Sequence, residues 1–489
     1  MPYYDAELAY LRWLAQEDSA EQLWVRTLRE YAGGQQPTYL TTRQQQFVGL
    51  KAKDANHLYA HNLCQLVIEA VVDRLVVRGF SPLEDTGAAA ADVAMQWWDA
   101  NRGDALQIET HEAALRDEEA YIIVEWLEGE GRPAWRLNTR YDGTQGVKLH
   151  RDAVTGELLY ASKRWQEYDP EQPNKPTGRT RLTMYFPNQV ERWVSAKPGE
   201  GIRVRAGGVE SELLWRPYVD ASGDPWPIPW VDARGQPLGL AVAPFLNPGG
   251  AEIAQVMPAQ DMLNKNDLDL IAAADQAGWR ILWINGVPKV YDSDGDEISL
   301  TVGPGQLLRF DAPDASLNAI EPVDITRLIQ GSYYWIESIA GISRTPQHLL
   351  RAPGADQPSG QSLLARELGL ISKVERKQVV FGNAWEDVLA LSFRLAATKG
   401  QDYGAPRLST EWKEARIEDP AVELAQMEIK KRLGVPDEQI FTELGYTPEQ
   451  IAMFKTMLEE QAQRQTNIGA ALLTAFDRGQ GTANNGGTQ

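Results

Sequence analysis

AEIAQVMPAQDMLNKNDLDLIAAADQAG (251–278) runs into WRILWINGVPKVYDSDGDEISLTVGPGQLLRF (279–310), and DITRLIQGSYYWIESIAGI (324–342) follows. The first and third stretches read as helices, and the middle one as a short β-rich insert. A Gly/Pro loop, RAPGADQPSG (351–360), then leads into a long apolar-periodic segment from Gln361 to Ala397. A helix that leaves a body, ends in a small β module and returns as a helix is an extended arm. No enzyme motif sits on it, so the arrangement points to a mechanical part.

The bulk properties agree. The chain has 489 residues, 43% of them hydrophobic and 24% charged, enough for two to four domains. It has no apolar run of membrane-spanning length, about 18 residues or more, and MPYYDAELAYLRWL has no secretory pattern. Cys64, the one cysteine, cannot form an internal disulfide and fits a reducing cytoplasm. The net charge of −20 argues against a conventional DNA binder, which shows phosphate a basic face. It is compatible with solubility alone, or with walls that let DNA pass without holding it. Sixteen Trp and seventeen Tyr suit core and sheet positions, subunit interfaces or sugar stacking.

Upstream of the arm, Asp5–Tyr31, Asn62–Arg74, Ala89–Ala100 and Asp104–Arg116 read as helices. From Tyr121 the pattern turns strand-like: YIIVEWL, PAWRLNT, GVKLHRD, LLYASKRWQEY, RLTMYFPNQVERWV and GIRVRA. Pro225, Pro227 and Pro229 forbid regular helix in the segment that follows. Gly369 and Gly382 weaken the long helix locally. Downstream, Pro420–Leu433 ends at Gly434-Val435-Pro436, a C-cap followed by proline. Asp437–Leu444 and Pro448–Gln463 add two helices, and the tail from Arg478 is Gly/Asn/Gln-rich and reads as disordered.

The chemical motifs are weak. Asp292, Asp294 and Asp296 begin like a calcium loop, but Glu297 replaces the required glycine and Gly303 the bidentate glutamate. A polar hairpin turn is the better reading. His57, His61 and Cys64 share i, i+4, i+7 spacing on one face of a helix, with no second ligand cluster to complete a zinc site. P-loop, GxSxG, HExxH and CxxC patterns are all absent from the sequence. No metal, cofactor or catalytic residue is expected. Linkers such as Arg351–Gly360, between long helices, are often functional.

Several stretches, in this order, resemble the portal proteins of long-tailed bacteriophages: NLCQLVIEAVVDRLVVRGF, WWDANRGDALQIETHEAALRDEEAYIIVEW, PFLNPGGAEIAQVMPAQDMLNKNDLDLI, IAGISRTPQHLL and PSGQSLLARELGLISKVERKQVVFGNAWEDVLAL. The resemblance covers roughly Tyr31 to Leu458. One departure is Glu118-Glu119, where relatives often have a glycine.

The resemblance implies an α+β portal fold with an α/β wing, a two-helix stem, a β-rich clip, a long channel helix and a helical crown. On that mapping 1–250 is wing with N-terminal helices, 251–278 the first stem helix, 279–323 the clip, and 324–350 the second stem helix and return. The tunnel loop is 351–360, the channel helix region 361–417, the crown 418–463 and the tail 464–489. The resemblance also implies a homo-oligomeric ring, usually a dodecamer, at one capsid vertex of the virion, assembled in the host cytoplasm. Its partners would be double-stranded DNA in the channel, terminase, the major capsid and scaffold proteins, and a head-completion adaptor. Arg351, Asp356, Gln357, Ser359 and Gln361 are its tunnel-loop and channel candidates. Lys289, Asp292, Asp294, Asp296 and Arg309 are its clip candidates for contact with terminase or adaptor. Glu418–Glu460 carries ten carboxylates against four Lys/Arg, consistent with a crown that faces DNA without gripping it. Two rival readings are an acidic, Trp-rich carbohydrate hydrolase and another head–tail adaptor.

Overall fold

The computed structural model describes residues 19–37, 60–83, 88–169, 172–195, 215–219, 226–278, 282–286, 314, 316–319, 324–350, 360–416, 427–443 and 450–457. The chain divides into two compact units, Met1–Arg416 and Ile417–Gln489. Both helix and antiparallel sheet are abundant, as an α+β chain requires.

The first unit opens with α1 (Ser19–Ala32) and α2 (Cys64–Val72), then β1 (Val77–Pro82), α3 (Ala88–Ala100) and α4 (Gly103–Asp117). The part of the expected Asp5–Tyr31 helix before Ser19 lies outside the described residues. β2 (Glu119–Leu127), β3 (Arg132–Thr139) and β10 (Val242–Leu246) form a three-stranded antiparallel sheet in the order β10-β2-β3. Its register pairs Val242 with Ile123 and Ala120 with Thr139. β4 (Gly146–Arg151), β5 (Leu158–Asp169), β6 (Gln172–Tyr185), β7 (Gln189–Ser195), β8 (Trp215–Pro217) and β9 (Ile228–Pro229) form a second antiparallel sheet. RLTMYFPNQVERWV is therefore not one segment but parts of β6 and β7, because Pro187-Asn188 makes the turn and Phe186 N–H bonds Gln189 O at 2.9 Å. GIRVRA lies outside the described residues.

The arm's first helix, α5, spans Met257–Gly278. The expected start at Ala251 moves six positions, because 251–256 close as tight turns, with Ala254 N–H on Ala251 O and Val256 N–H on Ile253 O. β11 (Leu282–Asn285) pairs antiparallel with β12 (Ser316–Ala319). The return helix α6 is Ile325–Ser343; its N-cap, Asp324, accepts the Thr326 N–H at 3.0 Å. Next come α7 (Gln347–Leu350), α8 (Gly360–Thr398) and β13 (Leu408–Trp412), which pairs with β1.

α8 organises the core. Leu370, Ile371, Val374, Phe381, Trp385 and Val388 repeat at helical spacing and are all buried. Trp385 sits edge-on to Trp98 at 5.0 Å and to Phe245 at 4.9 Å, joining α3, α8 and β10 in one aromatic cluster. Gly382 does not break the helix. A Cβ there would lie 3.2 Å from Trp412 Nε1, and Thr410 Oγ donates to Gly382 O at 3.1 Å, so the glycine lets β13 cross close to α8.

The second unit contains helical stretches at 427–432 and 450–457, with α9 (Asp437–Glu443) between them. Gly434, at φ +88°, ends the first stretch, and Val435 N–H bonds back to Lys430 O. Phe441 and Phe454 pack with ring centres 5.6 Å apart.

Candidate functional site

The α5–α6 hairpin is joined to the body by polar contacts rather than by apolar burial alone. Gln260, Asn264 and Asp267 recur at i, i+4, i+7 and are all buried. Gln260 accepts the Leu63 N–H at 3.0 Å and donates to His61 O at 2.7 Å. Asn264 accepts the His61 N–H and donates to Gln36 Oε1. Asp267 Oδ2 lies 3.0 Å from His61 Nδ1. Tyr31 OH donates to Asp261 at 2.7 Å on a neighbouring stripe. Buried polar groups demand partners of fixed geometry, so this seam sets the angle at which the hairpin leaves the body.

The two helices then meet by close approach. A Cβ on Gly331 would sit 2.7 Å from Asn266 Oδ1. That missing side chain lets Asn266 Nδ2 reach Leu328 O and Ser332 Oγ, both at 2.8 Å, while Ser332 donates to Asp267. Large apolar groups are exposed on both helices: Met262 and Ile271 on α5, Ile329, Tyr334 and Ile342 on α6. Six carboxylates against two cations make the pair acidic over 257–278 and 324–343.

His61 and Cys64 lie inside this seam, and His57 lies outside the described residues. α2 begins at Cys64, so His61 is not on its helical face, which corrects the spacing argument. Burial, aided by the Asp261 charge, pushes the Cys64 thiol up to about 12. Both side chains thus have structural partners.

Of the sequence-predicted contact residues, Gln361 alone is among the described residues. Arg351, Asp356, Gln357 and Ser359 lie outside the described residues, as do Lys289, Asp292, Asp294, Asp296 and Arg309. Gln361 falls in the first turn of α8. α7 and α8 contact each other and the turn just after α2 through described residues. Leu350 is buried, His348 Nε2 is 3.3 Å from Glu367 Oε1, and Arg74 reaches the same oxygen at 3.4 Å.

A charge network missed by sequence reasoning ties α1 to the sheet. Arg29 pairs with Asp117 at 2.9 Å and Asp142 at 2.6 Å. Arg140 pairs with Glu21 and Glu118, and Lys148 with Glu21. Burial alone would push the Glu21 carboxyl up, but Lys148 and Arg140 outweigh it and hold it below its ordinary value. Glu118 stands where a glycine was expected and adopts φ +71° as the C-cap of α4. Its carboxylate accepts from Trp24 Nε1 at 3.0 Å and pairs with Arg140, contacts that hold the left-handed backbone in place. Apart from Arg140 and Glu118, the paired residues are 88 to 127 positions apart in the chain, so no local pattern announces them.

A broad cleft of about 1030 Å³ lies between β2 and β5–β7, walled by Trp126, Trp165 and Trp230. Two of its carboxylates, Glu128 and Glu167, are held in ion pairs by Lys399 and Arg181. That occupation gives the hydrolase reading no support.

No family model matches the chain. It is 22% identical over 453 residues to the portal protein of Mycobacterium phage L5, covering 87% of this chain and 84% of the relative. It is also 22% identical over 424 residues to the portal protein of Mycobacterium phage D29, covering 81% and 78%. At these coverages the aligned span takes in the helical arm and most of α8. The chain is similar, over most of its length, to the portal proteins of these two mycobacteriophages.

Proposed function

We propose that this chain is the subunit of a phage portal: a ring, expected to be a dodecamer, at one capsid vertex, through which double-stranded DNA is packaged and ejected. The observation that carries the reading is similarity to two portal proteins over more than three quarters of each chain. The hairpin supports it. A closed ring needs two different, complementary faces on each protomer. Met262, Ile271, Ile329, Tyr334 and Ile342 supply exposed apolar surface on an arm otherwise rich in charge. Its acidic balance suits a passage that repels phosphate.

On this reading α5 and α6 form the stem, and 279–323 is the clip. Lys289, Asp292, Asp294, Asp296 and Arg309 would there meet terminase first and a head-completion adaptor later. Residues 351–360 form the tunnel loop, with Arg351, Asp356, Gln357, Ser359 and Gln361 facing the channel, and 418–463 is the crown. Capsid and scaffold proteins would surround the wing. The role is structural and non-enzymatic, in the virion after assembly in the host cytoplasm. Among the described residues no helix is long and apolar enough to cross a membrane.

Negative-stain averages of the purified protein test the proposal. Rings with a central hole are expected, and a compact monomer would overturn it. Arg351→Glu should then alter packaging or DNA retention in assembled rings, and unchanged packaging would remove Arg351 from the contact set.

A further inference from the structure

The root of the arm reverses the charge of the chain. A pocket of about 460 Å³ lies where the turn at 248–252, the end of α6 and the middle of α8 meet. Its charged lining groups are Arg344, Lys373, Arg376, Lys377 and a single carboxylate, Glu252. Glu252 is already engaged by both lysines; Lys373 Nζ lies 2.8 Å from it and 2.8 Å from Ser343 O. Among the described residues, Arg344 and Arg376 have neither an ion pair nor a side-chain hydrogen bond, and both are exposed. Four cations against one carboxylate, in a chain of net charge −20, is a local inversion. Neutral solubility does not call for it.

We infer that this pocket binds a backbone phosphate of nucleic acid. A guanidinium presents a planar fork of donors that matches phosphate oxygens, and here two forks are uncommitted. The third wall, with Pro248 and Gln255, is low at its two glycines, and a Cβ at Gly250 would lie 3.4 Å from Glu118 Oε1. Gly249 and Gly250 both have positive φ, and a Cβ at Gly249 would meet nothing within 4 Å, so a bulky sugar–phosphate chain can approach that turn. The lysines hold the charge in place without being spent on solvent. Lys373 and Lys377 together neutralise Glu252, so the field facing outward is that of the arginines plus one residual positive charge. The acidic hairpin begins immediately beyond, so a phosphate held here would be repelled further along the arm. This geometry suits brief contact at one level of a passage. The inference rests on the portal reading for its biological setting, but the pocket's chemistry stands apart from ring formation.

The test uses full-length protein, with ring formation checked first by negative stain. Fluorescein-labelled DNA duplex is titrated by anisotropy at a series of salt concentrations, for the wild type and for Arg344→Gln/Arg376→Gln. Neither side chain has a partner to lose, so the variant should keep its melting temperature and its rings. Binding is expected to weaken about tenfold or more, and the slope of log affinity against log salt to fall by about 1 for each phosphate contact removed. A single Arg376→Glu should weaken binding further than Arg376→Gln. Wild-type affinity and slope in an assembled variant would overturn the inference. So would loss of rings with duplex binding intact, which would assign the pocket to a carboxylate of a second copy. A wild type that forms no ring yet loses duplex binding on substitution would refute the portal reading and leave the pocket standing.

Discussion

Glu252→Gln isolates what holds the root of the arm to α8. Glu252 accepts from two ammonium groups while its own side chain is 9% exposed and that of Lys377 only 5%. At 2.8 Å the Lys373 attraction alone amounts to about 6 kcal/mol at an effective dielectric constant near 20. Burying the charges cancels most of that gain. Glutamine keeps the volume and one acceptor oxygen, so packing changes little. The attraction is lost, but the cost of burying Lys377 remains. A loss of about 3–5 kcal/mol in unfolding free energy follows, the usual result of orphaning one member of a buried pair. Urea unfolding at neutral pH, followed by Trp fluorescence, measures it. The pH dependence has a definite sign. Burial pushes the Glu252 carboxyl up, but both lysines outweigh this and hold it below its ordinary value of 4.5. Its stabilisation is complete above that value and is lost as pH falls through the lower folded value, so the variant should lose this part of the acid sensitivity. Burial also lowers the Lys377 pKa, with Glu252 opposing, so Glu252→Gln/Lys377→Met should recover most of the loss. A single-variant loss below about 1 kcal/mol, or a double variant no better than the single, would refute the reasoning.

Three further outcomes are expected. Gly103→Ala would place a Cβ 2.1 Å from the buried Trp98 ring, which is fixed by Phe80 and Trp385, so a loss of about 3 kcal/mol should appear in thermal or urea unfolding. Glu118→Ala should destabilise more than Glu118→Gly by about 1 kcal/mol, because both remove the bonds to Trp24 and Arg140 but only glycine relieves φ +71°; equal losses would contradict a strained backbone. His111 is buried and pushed down to about 3, accepting from Trp385 Nε1 at Nε2 with Nδ1 against Leu75 O. Between that value and the ordinary 6.5 the unfolded chain takes up a proton that the folded chain refuses, so stability rises with pH through this window by at most about 1.4 kcal/mol per unit. His111→Gln should remove that share of the slope, leaving the share of His150, which burial pushes down to about 4.

Much of the fold was legible because period and punctuation are local. The return helix read over 324–342 is α6, Ile325–Ser343, with Asp324 as its N-cap. The segment read from Gln361 to Ala397 is α8, Gly360–Thr398, almost residue for residue. The start of α5 was misplaced because Ala251–Val256 is apolar at helical spacing, yet turns close first, after the positive-φ pair Gly249-Gly250. Gly382 reads as a helix weakness in one dimension and is a crossing point for β13 in three.

The sequence by itself determined the alternation of long helices and short strands, the acidic balance and the likeness to phage portals, because these depend on residue type and spacing along one segment. Only the tertiary structure decided which polar groups face one another. The seam of Gln260, Asn264 and Asp267 against His61–Cys64 joins segments about two hundred residues apart. The Glu21–Arg140–Glu118 network and the basic pocket at Arg344 and Arg376 are likewise assembled from distant stretches. Electrostatic attraction and hydrogen bonding act through space, so a chain of net charge −20 can hold a basic pocket that no local stretch announces.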